Sequence, residues 1–242
     1  MNLCIDIGNT KSKIGLFEDD QLVRSYSRKN ISATWLSELL QANSIAAAIV
    51  SNTRDRHLSL RKELESLPFY IDLDHHTRLP IQNHYATPET LGRDRLAVVC
   101  AASGLYPKQN VLIIDAGTCI TLDAVSKEGD YYGGSIHPGL TMRYKALNNY
   151  TGKLPFVKKQ VMNELVGNST ENAILAGVSY AIIKEMDGMI DDYKVKYGEL
   201  KVIITGGDAS FFVSQLKSQI FAHSNLVLAG LNKILKYNVE SL

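Results

Sequence analysis

Apolar runs typical of buried strands alternate along this chain with amphipathic patterns typical of helices. In the first half, strands are predicted at residues 2–7, 13–17, 21–27, 46–51 and 69–73, and helices at 34–42, 56–66 and 91–105. In the second half, strands are predicted at 111–115, 119–125 and 130–136, a helix after Pro138, and a long helix from about 170 to 195. Because strands alternate with helices, the pattern predicts an α/β fold with parallel strand pairs.

One strand pattern occurs twice. The segment LCIDIGNT at residues 3–10 is echoed by LIIDAGT at residues 112–118, and each copy leads into a second strand. In both copies an apolar strand ends in an aspartate, which is followed by a glycine turn and a threonine. The repetition predicts two related domains, residues 1–108 and 109–242, divided where Pro107 interrupts a helix.

The repeated turn has the chemistry of a phosphate and cation site. Glycine lets the main chain approach an anion closely, N–H groups and the threonine hydroxyl donate hydrogen bonds, and the aspartate can hold a cation through water. Two such hairpins facing each other would grip the phosphates and the metal of a nucleotide. Each copy alone is equally compatible with ordinary turn chemistry, so the argument depends on the repetition.

A third glycine turn follows a strand of the buried type. The segment VIITGGDA at residues 202–209 opens through Gly206 and Gly207 into a helical pattern. Near the other two turns, the glycine pair could lie flat against a purine ring or let a ribose approach. Taken alone, it is equally compatible with a simple corner between a strand and a helix.

A carboxylate lies between two guanidinium groups in the motif Gly92-Arg93-Asp94-Arg95, at the expected start of a helix. The flanking cations and the helix N-terminus both favour an ionised Asp94. Such a carboxylate suits phosphoryl transfer, in which it orients the attacking hydroxyl and accepts its proton late. The alternative is a surface salt-bridge cluster that caps the helix.

Composition narrows the class of protein. The 242 residues are 45% hydrophobic, which is enough for a sizeable core, and the formal net charge is +1. This balance disfavours nucleic acid and anionic membranes as partners. Cys4, Cys100 and Cys119 have no metal-binding spacing and are expected to be reduced and buried, as in a cytoplasm. We expect a cytoplasmic protein because no signal peptide or transmembrane segment is predicted.

Other polar residues are weaker candidates. His137, in the turn from Gly133 to Gly139, is expected to make a structural hydrogen bond, although acid-base chemistry is an alternative. His75 and His76 adjoin Asp74 but lack further ligands at zinc spacing. Lys13 could reach a phosphate or be an exposed strand lysine.

Six motifs, in this order along the chain, resemble those of the type III pantothenate kinases. They are Asp6-Ile7-Gly8-Asn9-Thr10, Gly92-Arg93-Asp94-Arg95, Asp115-Ala116-Gly117-Thr118, Gly133-Gly134-Ser135-Ile136-His137-Pro138-Gly139, Thr170-Glu171-Asn172-Ala173 and Gly206-Gly207-Asp208-Ala209. The resemblance extends over essentially the whole chain, and the joint occurrence of the motifs is far more specific than any one of them.

The resemblance implies a fold and a reaction. The fold is that of the acetate kinase, sugar kinase, heat-shock 70 and actin superfamily, with two ribonuclease H-like domains and the active site in the cleft between them. The reaction is phosphorylation of pantothenate by ATP to 4′-phosphopantothenate, the first step of coenzyme A biosynthesis. The family is homodimeric and needs a monovalent cation, potassium or ammonium, besides Mg²⁺.

The resemblance also implies roles for individual residues. Asp94 would be the proton acceptor and Asp115 would bind the monovalent cation. ATP would contact Asp6, Ile7, Gly8, Asn9, Thr10, Lys11, Ser12, Lys13 and Thr118. Pantothenate would contact Tyr85, Gly92, Arg93, Asp94, Arg95 and Thr170, with Thr170 reaching across the dimer.

Some features leave alternatives open. His137 departs from the family, in which a small residue is expected at this position. Close relatives include transcriptional accessory factors, so a nucleotide-binding regulatory protein without turnover is an alternative. A kinase of another polyol or hydroxy acid is a third hypothesis.

Overall fold

The computed structural model describes residues 1–8, 10–52 and 58–240 of the chain. The strands are β1 Asn2–Ile7, β2 Ser12–Glu18, β3 Gln21–Arg28, β4 Ala47–Asn52, β5 Phe69–Asp72, β6 Gln82–Asn83, β7 Asn110–Ala116, β8 Cys119–Val125, β9 Asp130–Pro138, β10 Leu200–Thr205 and β11 Ile220–Ala222. The helices are α1 Ala33–Gln41, α2 Leu58–Glu65, α3 Arg93–Leu105, α4 Leu140–Asn149, α5 Thr170–Leu175, α6 Ala181–Tyr197, α7 Ala209–Val213 and α8 Leu226–Val239. A 3₁₀ turn occupies Pro88–Thr90, and a π-helical turn, Ala176–Tyr180, joins α5 to α6.

The chain folds into two compact units. Unit 1 contains the described residues of Met1–Lys108, Glu128–Tyr132 and Asn225–Leu242, and unit 2 contains Gln109–Lys127 and Gly133–Ser224. The predicted division places residues 225–242 in the second domain. In the structure α8 groups with unit 1, because it packs against α3, β1 and β4. Strand β9 begins in unit 1, where its first residues pair with β6, and continues in unit 2.

Both sheets have the same strand order. The sheet of unit 1 is ordered β3-β2-β1-β4-β5, and the second sheet contains the corresponding order β9-β8-β7-β10-β11. In each sheet the central strand, β1 or β7, pairs antiparallel with the following strand of its hairpin, β2 or β8. On its other side it pairs parallel with β4 or β10. The duplicated α/β fold predicted from the two acidic turns is therefore confirmed at the level of topology.

Side chains along the strands of the first sheet point alternately to its two faces. Leu3, Ile5, Ile14 and Val50 are buried in one hydrophobic core with Leu36 of α1 and Leu64 of α2. The opposite face is covered by α3 and α8. Such packing on both faces is expected of strands that read as continuous apolar runs. It leaves the residues at the ends of the strands as the polar edge of the sheet.

The second unit has its own core. Leu112, Ile114, Leu122 and Ile204 of the sheet are buried against side chains of α4, α5 and α6, with Tyr144 and Phe212 among the large residues. The helix predicted from 170 to 195 therefore buries its apolar stripe in this one core. The π turn divides it into α5 and α6. π turns of this kind are rare and concentrate at functional sites.

The cysteines differ from expectation at one position. Cys4 and Cys100 are buried free thiols, and their burial raises the pKa of each well above its usual value. Cys119 is exposed, so the expectation of a buried thiol was wrong there. The reason is its place at the very start of β8, beside the exposed turn at Thr118. No helix in the described ranges is long and apolar enough to cross a membrane.

Candidate functional site

In unit 1, the first acidic turn lies at the end of β1. Asp6 pairs in register with Lys13 of β2 on one side and with Ser51 of β4 on the other, so the three side chains share one face of the sheet. The turn is tight at Gly8, where a Cβ atom would lie 3.1 Å from the Lys11 carbonyl oxygen. Lys13 is thus placed beside the predicted phosphate turn.

The remaining residues of this turn differ in exposure. Thr10 and Lys11 are exposed, Ile7 and Gly8 are half-buried, and Ser12 is buried. Asn9 lies outside the described residues. Thr10 and Lys11 are therefore available to a ligand, whereas Ser12 belongs to the strand that supports the turn.

Ser51 is a polar residue beside Asp6 that the sequence analysis does not predict as part of this site. It is fully buried, and its Oγ atom has no hydrogen-bond partner among the described residues. A buried hydroxyl without a partner is costly, and such groups are concentrated where a ligand or water completes the bonding. The available signal was a serine at the end of the buried run AAIV, but its place beside Asp6 depends on strand register.

The arginine and aspartate motif meets the same edge of the sheet. Arg93 donates a hydrogen bond from Nη1 to the Asn52 carbonyl oxygen at 2.7 Å, and Asn52 pairs in register with Ile7. Asp94 lies in the first turn of α3, where its Oδ1 accepts a hydrogen bond from the Arg95 N–H at 2.9 Å. The structure therefore brings the start of α3 to the acidic turn of the same unit.

Gly92 makes room for the carboxylate. A Cβ atom at this position would lie 2.6 Å from Oδ1 of Asp94. Gly92 has an extended ψ of 126° and precedes α3 as its N-cap residue. The absence of a side chain at residue 92 therefore sets the space in which the Asp94 carboxylate lies.

Arg95 is joined to Tyr85 by an aromatic contact. The Arg95 guanidinium carbon lies 5.7 Å from the Tyr85 ring centroid, within the range of a cation–π interaction. Only 6% of Arg95 is exposed, so its charge is shielded from water. Tyr85 also stacks on Tyr131, with ring centroids 6.4 Å apart. The predicted substrate residues Tyr85, Gly92, Arg93, Asp94 and Arg95 are thus neighbours in unit 1.

In unit 2, the second acidic turn reproduces the arrangement of the first. Asp115 of β7 pairs in register with Thr121 of β8 and with Thr205 of β10, as Asp6 does with Lys13 and Ser51. Thr118 is exposed at the tip of the turn, which closes through a hydrogen bond from the Gly117 N–H to the Cys119 carbonyl oxygen at 2.9 Å. The duplication therefore extends to the strand register around each aspartate.

The glycine pair after β10 lies directly against this turn. Gly206 has a φ of +97°, and a Cβ atom there would lie 2.3 Å from the Ala116 carbonyl oxygen and 2.6 Å from Asp115 Oδ1. The Asp208 N–H donates to the same Ala116 oxygen at 2.9 Å. Only glycine permits this backbone conformation and this close approach.

The Asp115 site suits a cation. The Oγ1 atom of Thr121, the neighbour of Asp115 on the sheet, is buried without a hydrogen-bond partner in the described structure. Carboxylate, hydroxyl and carbonyl oxygens are the donors that hard cations prefer. No cluster of three or more His, Cys, Asp or Glu residues arranged to hold a metal occurs in the described part of the chain.

An apolar cavity of about 450 Å³ opens beside the glycine pair. Its lining includes Gly206, Gly207, Ser210, Val213 and His223. A cavity of this size with few polar groups is typical of a small-molecule or nucleobase site. The cavity and the Asp115 turn therefore share Gly206.

Thr170 belongs to unit 2. It is the exposed first residue of α5, next to the N-cap residue Ser169, whose hydroxyl accepts a hydrogen bond from the Asn172 N–H at 3.2 Å. His137 makes two side-chain contacts, to Ser135 and to Glu185, as expected of a structural histidine.

The repeated sheet and the paired acidic turns define the class of the protein by its fold, the duplicated α/β fold of the actin-like superfamily. Solved structures share the fold. A protein from Campylobacter jejuni named as a Baf family transcriptional activator aligns over 98% of this chain and 99% of its own, with a TM-score of 0.65 and 22% identity. A protein from Sinorhizobium meliloti named as a 2-dehydro-3-deoxygalactonokinase covers 100% of both chains, with a TM-score of 0.61 and 13% identity.

Sequence relatives define the family. The profile of the type III pantothenate kinases matches residues 2–192. A type III pantothenate kinase of Phocaeicola vulgatus is 46% identical over 98% of this chain and 99% of its own length, and that of Cytophaga hutchinsonii is 41% identical over 99% and 100%. The chain therefore belongs to the type III pantothenate kinase family.

This result confirms the predicted family, the predicted fold class and the predicted enzyme class, a kinase that phosphorylates pantothenate. The alternative of a regulatory protein without turnover is not favoured, because these sequence relatives are named kinases over their full length.

Proposed function

We propose that this chain transfers the γ-phosphoryl group of ATP to the 4′-hydroxyl of pantothenate, with Asp94 as proton acceptor. The observation that carries the proposal is the position of α3. Arg93 at its start binds the main chain of Asn52, at the sheet edge where β1 enters the acidic turn. The carboxyl ends of the parallel strands β1 and β4 meet there, where α/β folds bind ligands.

In the reaction, the hydroxyl oxygen attacks the γ-phosphorus, the bond to the β-phosphate oxygen breaks, and ADP leaves. The hydroxyl proton passes to Asp94. Because the transition state of phosphoryl transfer is loose, Asp94 mainly orients the hydroxyl. Its place in the first turn of α3 and the space left by Gly92 support this role.

The nucleotide contacts proposed from the family are Asp6, Ile7, Gly8, Asn9, Thr10, Lys11, Ser12, Lys13 and Thr118. The exposed turn residues Thr10, Lys11 and Thr118 support this assignment, as does Lys13 beside Asp6. Mg²⁺, held with ATP, would neutralise phosphate charge, and Asp6 is the carboxylate suited to hold it through water. We propose the cavity at Gly206 and Gly207 for the nucleobase.

Pantothenate is a carboxylate, and the proposed contacts provide a buried cation for it. Arg95 is almost fully buried and rests on the Tyr85 ring. An arginine shielded from water binds a carboxylate more strongly than one on the surface. Gly92, Arg93 and Asp94 complete the set, and we propose that Thr170 reaches the site of a partner subunit in a homodimer.

We also propose a monovalent cation, K⁺ or NH₄⁺, at Asp115 and a cytoplasmic location. The buried hydroxyl of Thr121 beside Asp115, which has no partner among the described residues, supports the cation. Such an ion would place positive charge next to the turn that carries Thr118, where phosphate charge accumulates.

A coupled assay tests the proposed reaction. Purified protein with ATP, Mg²⁺ and K⁺ is expected to form ADP only when pantothenate is present, in proportion to the pantothenate added. Other small hydroxy acids and polyols serve as controls for the substrate. ADP formation that is independent of pantothenate, or no turnover at all, would contradict the proposal.

A further inference from the structure

A group of charged side chains in unit 2 converges on the corner between β9 and α4, defined here as residues 135–140. His137 Nδ1 lies 2.8 Å from Glu185 Oε1, and His137 Nε2 lies 2.7 Å from Ser135 Oγ. Arg143 donates from Nη1 to Glu185 Oε2 at 2.7 Å and from Nη2 to Oε1 at 2.8 Å. One carboxylate of α6 therefore holds both the last part of β9 and the first turns of α4.

The group also holds the main chain of the corner. Arg143 Nε donates a hydrogen bond to the Pro138 carbonyl oxygen at 3.0 Å. The side chains of His137, Arg143 and Glu185 are 17%, 20% and 31% exposed, so water competes weakly for these bonds. Bidentate bonds between an arginine and a carboxylate are among the stronger and more directional hydrogen bonds in proteins.

The corner in turn backs the second acidic turn. Gly139 is buried, and a Cβ atom there would lie 2.2 Å from the Thr118 carbonyl oxygen and 2.6 Å from that of Gly117. The backbone of the corner is therefore in direct contact with the backbone of the turn. A displacement of the corner by a few tenths of an ångström would move Thr118 or collide with it.

We propose that His137 and Glu185 are positioning residues for nucleotide binding, which fix the corner and through it the turn at Thr118. This inference rests on the proposed contact between Thr118 and ATP. It assigns a role to His137, which the family resemblance left without one. Neither residue is proposed to touch ATP.

The order Ser135, His137, Glu185 also resembles an activated nucleophile, in which a base is oriented by a carboxylate. Arg143 argues against that role. It binds both oxygens of Glu185 and neutralises the charge that would stabilise a protonated imidazole during catalysis.

The test compares His137→Ala, His137→Asn and Glu185→Ala. The dissociation constant of ATP is measured by calorimetry, and KM is measured for ATP and for pantothenate. His137→Ala and Glu185→Ala are expected to weaken ATP binding about ten-fold, the scale of one hydrogen bond to a charged group, with less than about two-fold change in KM for pantothenate. His137→Asn is expected to bind ATP like the parent, because its amide nitrogen can take the place of Nδ1 and donate to Glu185.

Glu65→Ala is the matched control, since it removes a carboxylate from an exposed pair with Arg61 in unit 1. It is expected to leave both affinities unchanged. Unchanged ATP affinity in His137→Ala and Glu185→Ala, with only a lower Tm, would overturn the proposal, as would failure of His137→Asn to restore binding. Failure of the proposed reaction would appear instead in the parent protein, as absent turnover with pantothenate, while the ATP measurements would still decide this inference.

Discussion

Individual residues at the two acidic turns show what sequence reasoning could and could not supply. Asp6 and Asp115 were recognisable because strand, aspartate, glycine and threonine are contiguous, so their chemistry is local. Ser51 and Thr205 were not, because they lie beside the aspartates only through the register of parallel strands. Long-range pairing of this kind leaves no signal in a single local segment.

At Asp94, we expect Asp94→Asn to lower turnover by about 100-fold or more while ATP affinity stays nearly unchanged, since an amide cannot accept the hydroxyl proton. The side chain keeps its size, so the space beside Gly92 remains filled as in the parent. Steady-state kinetics and calorimetry with ATP measure the two effects. Near-normal turnover would remove Asp94 from the mechanism.

At Asp115, replacement by alanine is expected to abolish activation by potassium, so that rates with and without KCl become similar. The reason is loss of the carboxylate beside Thr121 and Gly206 on which the proposed cation site depends. The measurement is initial rate against KCl concentration at constant ionic strength. Asp191→Ala, which changes an exposed carboxylate of α6, is the control, and persistent activation in Asp115→Ala would place the cation elsewhere.

Between elements, α8 packs closely on α3. A Cβ atom at Gly230 of α8 would lie 1.8 Å from the Ala97 carbonyl oxygen of α3. The two helices therefore approach closely because residue 230 has no side chain. Gly188 of α6 offers the opposite case, because nothing lies within 4 Å of a Cβ atom there.

Alanine at these two glycines is expected to have opposite effects. In an open helix position, Gly→Ala stabilises by up to about 1 kcal/mol, so Gly188→Ala is expected to raise the free energy of unfolding. Gly230→Ala gains the same propensity but forces the helices apart, and the net result is expected to be a loss of about 1–2 kcal/mol. Urea denaturation followed by circular dichroism measures both. Equal stability of the two variants would contradict the packing argument.

Elements with a strong local pattern were predicted well, and those defined by tertiary context were not. The helix predicted at 91–105 begins at Arg93, and the strands of both hairpins lie within two residues of their predicted bounds. The π turn Ala176–Tyr180 has no such pattern, because it continues the apolar stripe of a helix. Helix α8 was left out, although its spacing of Leu228, Leu231 and Leu235 is that of a buried helix face.

At the scale of the whole molecule, the charge of the Glu185 carboxylate makes the free energy of unfolding depend on pH. The hydrogen bonds from Arg143 hold the pKa of this carboxyl below its usual value, with a smaller contribution from His137. A group whose pKa is lowered by folding stabilises the native state above its unfolded pKa, and this contribution is lost as pH falls through the folded pKa. The unfolded value is about 4.3.

The difference in Tm between the parent and Glu185→Gln is therefore expected to be constant above about pH 5 and to shrink progressively below about pH 4.3. Differential scanning calorimetry across this range measures it. A difference that grew on acidification would show that the carboxylate is not held in its charged form by Arg143 and His137.

The assignment of α8 to unit 1 has a consequence for synthesis on the ribosome. Unit 2 ends at Ser224, so its core can close before α8 has left the exit tunnel. Unit 1 cannot, because the face of β1, β4 and α3 that α8 covers stays uncovered until residues 226–239 emerge. Unit 1, whose strands are translated first, is thus completed last, and its apolar surface stays uncovered for longer during synthesis.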